Sequence, residues 1–216
     1  MKKLVIIGGS GNGTVALSTA LDINKLTPTW EILGFINDFE SEINGIRVLG
    51  PIDKEVVQEL LSDPEVFFVY SLITSKFREE GKNRLLSLEI PIDRYATLVH
   101  PTAVISEFAN IGYGCTIQPF VSIGPNVEIG NHVQIFAQSL VGHDAIIENY
   151  SYIANNSCIG AKVIMKEGAY LGTNSSTKEF LQIGSWSFVG MGAVVIKDVP
   201  GKTVVIGNPA KPLRVK

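Results

Sequence analysis

The chain has 216 residues, room for two modest domains. Hydrophobic residues make up 45% and charged residues 18%, a balance that can fill a globular core. The net charge of −3 and the pI near 5.7 argue against a nucleic-acid partner, and the longest apolar run, Val66 to Ile73, is interrupted by Ser71 and far too short for a membrane span.

In chain order, Lys3 to Ile7 is an apolar run that reads as a buried strand. The run passes straight into Gly8, which does not fit a signal peptide. The glycine loop Gly8-Gly9-Ser10-Gly11-Asn12-Gly13 follows, and Thr14 to Asn24 reads as a helix. Strand, glycine loop and helix open a parallel α/β unit, whose loop can bring a ligand to the backbone N–H groups at the helix start. The dinucleotide fingerprint needs glycines at offsets 0, 2 and 5 and fails here, so NAD binding is not supported. Glu31 to Ile36 is a second strand, ending in Asn37-Asp38 at the end of the sheet where ligands usually bind. An acid there can hydrogen-bond a ribose or base, or cap a turn.

Ile43 to Gly50 reads as an irregular segment, and Ile52 to Ser62 as a helix with Asp53 near its start. Val66 to Leu72 is a third strand, apolar enough to be central in the sheet. Ser71 to Ser75 is its exit, and Phe77 to Leu88 is a helix carrying Arg78, Lys82 and Arg84. That cluster reads as a solvated face, with Arg78 near enough to the strand exit to reach a phosphate. Tyr95 to Val99 is a last strand before His100-Pro101, which places a boundary between residues 1–99 and 100–216.

From residue 105 to 195 the chain obeys a period of six. Of the sixteen positions from Ile105 to Val195 in steps of six, only Thr177 is neither aliphatic nor Met. Many are followed by Gly, as at Gly112, Gly124, Gly130, Gly142, Gly160, Gly172, Gly184 and Gly190. Two residues before each aliphatic the side chain is usually small or β-branched. Six is neither the helical period nor a plain alternation. It fits a coil of short strands joined by tight turns, with the aliphatic inward and Gly supplying freedom at the turn. Cys115 and Cys158 fall inside the repeat and read as small core residues. Their spacing fits neither zinc nor a disulfide, which suits a reducing, cytoplasmic location. After Val195 the period lapses into a turn, a final strand at Thr203 to Ile206 and a rigid exit from Gly207 to Pro212.

The three histidines are His100, His132 and His143. A zinc site on this scaffold needs three that converge; with His132 and His143 eleven apart and His100 before the repeat, no metal is expected. His132 is expected on a polar face. His143 follows Gly142 near a coil turn and precedes Asp144. A neutral imidazole there can act as general base, and a carboxylate beside it can fix its tautomer.

Six segments together resemble the NeuD/PglD-type sugar acyltransferases of the hexapeptide-repeat family. They are Gly9-Ser10-Gly11-Asn12-Gly13, Phe35-Ile36-Asn37-Asp38, His100 to Ile105, Val141-Gly142-His143-Asp144, Val189 to Val195, and Val205 to Lys211. The resemblance spans nearly the whole chain. It implies a small Rossmann-like α/β domain followed by a left-handed parallel β-helix of three hexapeptides per coil. Sixteen repeats would then make about five coils, roughly 25 Å tall.

The resemblance also implies a homotrimer with acetyl-CoA lying between two β-helices. His143 would be the base and Asp144 its acidic neighbour. Backbone near Gly160-Ala161 and Gly190-Met191-Gly192 would meet the pantetheine arm, and Lys211 the phosphates of coenzyme A. Gly9, Ser10, Gly11, Asn12 and Gly13, with Asn37 and Asp38, would hold a nucleotide-activated sugar. The expected activity is acetyl transfer to the amine of a nucleotide-linked amino sugar for surface glycans. The alternatives are O-acetylation of sialic acid or another hydroxyl acceptor, and a scaffold without catalysis.

This chain departs from the family at three points. Tyr152 stands where some members carry a second histidine, and could donate a hydrogen bond to an oxyanion near the thioester. Asn12 stands where many have His. The segment Val69 to Thr74 lacks their Gly-Asn/Asp signature.

Overall fold

The structure is a computed structural model that describes residues 1–72 and 78–213. Residues 1–101, with 113–115, form one compact unit; residues 102–112 and 116 onward form the second.

The first unit is an α/β sheet. Its strands are β1 (Lys2–Ile7), β2 (Trp30–Ile36), β3 (Glu42–Ile43), β4 (Ile46–Gly50) and β5 (Val66–Tyr70), in the order β3-β4-β2-β1-β5. All pairings are parallel except β3 with β4. Helix α1 (Asn12–Leu26) connects β1 to β2, α2 (Lys54–Leu61) connects β4 to β5, and α3 (Arg78–Ser87) follows β5. The expected start of α3 at Phe77 lies outside the described residues.

β5 is an edge strand rather than a central one; β2 holds the middle, and β1, with Leu4 to Ile7 fully buried, lies between β2 and β5. The apolarity of β5 has another cause: its outer edge is covered, with Phe68 bridged to Tyr95 and accepting a hydrogen bond from Ala96 N (2.8 Å). The segment expected to be irregular, Ile43 to Gly50, is a hairpin. Its turn residues Asn44 and Gly45 both have positive φ (49° and 76°), the two-residue turn that Asn-Gly favours. α1, through Ala16, Leu17 and Ala20, packs into one core with Leu4, Ile6, Trp30, Phe35 and Val69.

The second unit is a three-sided parallel β-helix. Two-residue strands recur every six residues and pair with strands eighteen residues on, as Leu140 with Cys158 and Val141 with Ile159. The first sheet runs from Val104–Ile105 to Val194–Val195, the second from Asn110–Ile111 to Gln182–Ile183. The third includes Thr116–Ile117, Tyr152–Ile153, Phe188–Val189 and Val204–Ile206. The exit is not a plain tail: Lys211–Pro212 returns antiparallel against Val204–Ile206.

The six-residue series points inward as its spacing requires. From Ile117 to Val195 every member is buried. Thr177, the exception in the series, is buried too, and its Oγ1 accepts the Gly160 N–H at 3.0 Å, so the polar atom is satisfied. Cys115 is buried as expected, but Cys158 is exposed, because Ile159 takes the inward slot and the preceding residue faces out.

The glycines do a different job from the one expected. None of the eight that follow an aliphatic has positive φ. The left-handed residue comes two places later and recurs every six residues from Gly114 to Gly192, through Asn126, Asp144 and Lys162 among others. Gly142 is needed instead for close approach. A Cβ there would lie 2.7 Å from Ala161 N and 2.9 Å from Gly160 C in the next coil.

His132 is a second correction. It is 3% exposed rather than on a polar face, with its ring stacked on Tyr150 (centroids 5.2 Å, 13° between planes). Burial pushes its pKa down from 6.5 to about 4. The unfolded chain therefore binds a proton that the folded chain refuses between those two values. Stability is expected to fall as pH drops from 6.5 towards 4, by up to about 3 kcal/mol from this group. Chemical denaturation across that range checks it. His132→Phe, a residue that holds the same left-handed turn position at Phe120 and Phe180, should remove this part of the pH slope.

Candidate active site

The repeat places His143 and Asp144 in the turn between the first and second sheets, after Leu140–Val141 and before Ile146–Ile147. Asp144 holds the left-handed position (φ 58°), which Asp tolerates better than most residues. That backbone aims its carboxylate at the preceding ring, and His143 Nδ1 lies 2.6 Å from Asp144 Oδ2. An ionised carboxylate only accepts, so Nδ1 carries the proton and donates, which leaves Nε2 as the basic nitrogen.

The other carboxylate oxygen, Oδ1, accepts from Asn126 Nδ2 at 3.0 Å. The hydrogen bond from His143, then that from Asn126, holds the Asp144 carboxyl below the usual carboxylate range. Asn126 was not among the expected residues. It stands eighteen residues before Asp144, one coil away in the same column of turns, so the period contained the signal.

Gly160 and Ala161 come to the same corner. Lys162 N donates to His143 O at 2.9 Å, and the Gly142 backbone rests on Gly160-Ala161. The His143 side chain is 55% exposed.

The remaining expected residues of this unit lie elsewhere on it. Tyr152 is in the third sheet, within an outward aromatic stack of Phe136, Tyr152, Tyr170 and Phe188, whose ring centroids are 4.6–4.7 Å apart. Gly190-Met191-Gly192 forms the turn from the third sheet to the first, where Met191 is exposed and, with Gly192, lines a shallow pocket beside Thr173 and Asn174. Lys211 lines a pocket at the carboxyl-terminal end, with Ile196, Val199 and Pro209. A single β-helix thus brings Gly160 and Ala161 to His143-Asp144, and sets Tyr152, Met191 and Lys211 on other faces.

In the α/β unit the glycine loop leaves β1 beside the exit of β5. Ser71 N and Oγ both donate to Ile7 O (2.9 and 2.8 Å), and the Ser71 hydroxyl occupies the space a Cβ on Gly8 would need. Gly13 packs on Phe35, and Gly11 caps α1 at φ 89° with Asn12 as its first residue. Asn37 Oδ1 accepts from Phe39 N and Glu40 N, both at 2.8 Å, shaping the turn after β2. Asp38 is fully engaged. Arg84 reaches both of its oxygens (2.8 and 2.6 Å) and Ile52 N donates to Oδ1 at 3.0 Å. The guanidinium first, then the Ile52 N–H, keeps the Asp38 carboxyl low. Glu40, which the sequence did not single out, accepts from Ser10 N at 3.0 Å and from Ser10 Oγ.

An α/β unit followed by a hexapeptide β-helix, with a His-Asp turn on one corner, defines a class. The PglD N-terminal domain matches residues 3–83, and the GMPPB C-terminal domain matches residues 99–211, just over half of the chain. The acetyltransferase domain of PglB from Neisseria gonorrhoeae FA1090, solved in complex with acetyl coenzyme A, is 26% identical. That likeness covers 98% of this chain and 99% of that one, with a TM-score of 0.85.

The GDP-perosamine N-acetyltransferase of Escherichia coli O157:H7 is 32% identical over 142 residues, 65% of this chain and 54% of that protein. The acyl-[acyl-carrier-protein]–UDP-N-acetylglucosamine O-acyltransferase of Ectopseudomonas mendocina is 36% identical over 109 residues, 50% of this chain. The aligned segments span 42% and 54% of these two relatives' own length. The chain belongs to the NeuD/PglD-type family of sugar acyltransferases, and its fold is an α/β domain followed by a left-handed β-helix of hexapeptide repeats.

Proposed function

We propose that the protein transfers an acetyl group from acetyl-CoA to the amine of a nucleotide-linked amino sugar, at a site completed between copies of the chain. The observation that carries this reading is the distribution of the site residues. His143, Asp144, Gly160 and Ala161 share one corner, while Tyr152 and Gly190-Met191-Gly192 occupy a different face and corner of the same three-sided coil. These groups converge on one ligand only if the His143 corner of one copy faces the third sheet of another. A homotrimer, in which every copy gives both surfaces, meets that need.

In this reading acetyl-CoA supplies an activated acyl carbon. The sugar amine attacks it, the new N–C bond forms, and the C–S bond breaks to release the thiol. His143 Nε2 takes the proton from the attacking amine. Asp144, held by Asn126, stabilises the imidazolium that results. Tyr152 of the adjoining copy is a candidate donor to the oxyanion. Backbone at Gly160-Ala161 and Gly190-Gly192, with Lys211 toward the phosphates, would hold coenzyme A, and the α/β unit would hold the nucleotide.

Release of free thiol from acetyl-CoA, measured against nucleotide-linked 4-amino sugars, free amino sugars and sialic acid, tests this. Release dependent on a nucleotide-linked amino sugar is expected. Release with sialic acid alone would make the protein an O-acetyltransferase, and silence with every acceptor would leave a scaffold.

A further inference from the structure

We propose that Glu40 sets which part of the nucleotide enters the glycine loop: its carboxylate takes two adjacent hydrogen-bond donors of the nucleoside and keeps the diphosphate out. This rests on the nucleotide-linked acceptor proposed above. A glycine loop at a helix start ordinarily suits an anion, since its backbone N–H groups point outward and the helix dipole favours negative charge. In this chain the Ser10 N–H of that loop, just ahead of the helix that begins at Asn12, is already taken. Glu40 lies thirty residues along, yet its Oε2 accepts from Ser10 N at 3.0 Å and its Oε1 from Ser10 Oγ. Gly9 lies directly against Glu40 Oε2 and Asn37 Nδ2, so a side chain there would displace both.

The carboxylate is oriented as well as present. Asn37 Oδ1 fixes the backbone N–H of Glu40 itself (2.8 Å). With Ser10 donating once to each oxygen, each oxygen keeps acceptor capacity, because a carboxylate has about four lone-pair sites in all. A phosphate brought here would meet like charge at hydrogen-bond distance. A pair of adjacent N–H or O–H donors would meet two acceptors with matching spacing, the arrangement in which charge-assisted hydrogen bonds are strongest. Asp38 cannot serve in its place, since Arg84 and Ile52 N already hold its oxygens. Two parts of a nucleotide carry such a donor pair: the guanine edge, with N1–H and the 2-amino group, and the ribose cis-diol. Uracil, thymine and adenine edges do not.

The test is calorimetric titration of the full chain, without acetyl-CoA. The ligands are GDP, inosine diphosphate, 2′-deoxy-GDP, UDP and inorganic pyrophosphate, against wild type and Glu40→Gln. Gln keeps the size and one acceptor but replaces the other with a donor, so it mismatches one member of the pair. Glu40→Ala serves as a second variant if Gln perturbs the fold, judged by thermal midpoint.

Glu40→Gln is expected to weaken nucleotide binding about tenfold, in line with loss of one charge-assisted hydrogen bond, and not to weaken pyrophosphate. If the guanine edge is the donor pair, GDP exceeds inosine diphosphate and UDP by a similar factor. If the diol is the pair, the ribonucleotides bind alike and 2′-deoxy-GDP falls behind. Nucleotide binding unchanged in Glu40→Gln, or tightened together with pyrophosphate, overturns the inference and leaves the proposed activity standing. Failure of every nucleotide to bind the wild-type protein removes the nucleotide-linked acceptor itself.

Discussion

His143→Ala is expected to lower turnover of acetyl-CoA with its acceptor by at least about 10²-fold, the usual weight of a general base. The geometry makes this a loss of chemistry rather than of structure. The ring is 55% exposed, and what His143 contributes to the coil is backbone, its carbonyl accepting from Lys162 N. The thermal midpoint should therefore stay near wild type, and so should the KM for acetyl-CoA, because the backbone proposed to hold the coenzyme is untouched. Steady-state rates at saturating acceptor read the effect; a kcat close to wild type would take His143 out of the base role. Asp144→Asn should cost less. It keeps the left-handed turn, which Asn also tolerates, but removes the charge proposed to stabilise the imidazolium.

Gly142→Val is expected to damage fold and activity together. The new Cβ would sit 2.7 Å from Ala161 N and 2.9 Å from Gly160 C, and both are backbone atoms that cannot rotate away. The next coil would have to lift. That strains the ladder bonds Gly142 N to Ile159 O and Lys162 N to His143 O, each 2.9 Å. Overpacking of this kind costs about 1–3 kcal/mol and sometimes more. For a chain of this length the thermal midpoint should drop by roughly 3–10 °C. Because the displaced backbone is that of Gly160-Ala161, beside His143, kcat should fall as well. A midpoint within about a degree of wild type would show that the coils have slack the structure does not contain.

The β-helix was legible because its rule is short-ranged and repeated. An aliphatic every six residues faces inward whatever lies far along the chain, and even Thr177 obeys once Gly160 N satisfies its hydroxyl. The His143-Asp144 turn was legible for the same reason, since its place in the period put it at a corner. Individual residues within the repeat depart from what their type suggests. The periodic Gly is expected to supply backbone freedom at the turn, whereas residues such as Asn126, Asp144, Lys162 and Phe180 hold the left-handed position, and the glycines answer to the approach of the next coil. Cys158 was misplaced by a single residue of register, which in a strand reverses the face.

His132 was judged by polarity, and stacking on Tyr150 outweighed it. The hairpin at Asn44-Gly45 carried a turn signal that was passed over. Glu40 and Arg84 carried none. Their partners, Ser10 and Asp38, lie thirty and forty-six residues away in an α/β unit that has no period to link them.

The position of the acetyl group on the product decides between N- and O-transfer. The protein, acetyl-CoA and a nucleotide-linked 4-amino sugar are incubated together, and the sugar is examined by mass spectrometry and NMR. One acetyl group gained on the sugar nitrogen, in step with thiol release, is the expected result. An acetyl group on a hydroxyl, or thiol release with no change in the sugar, would contradict it.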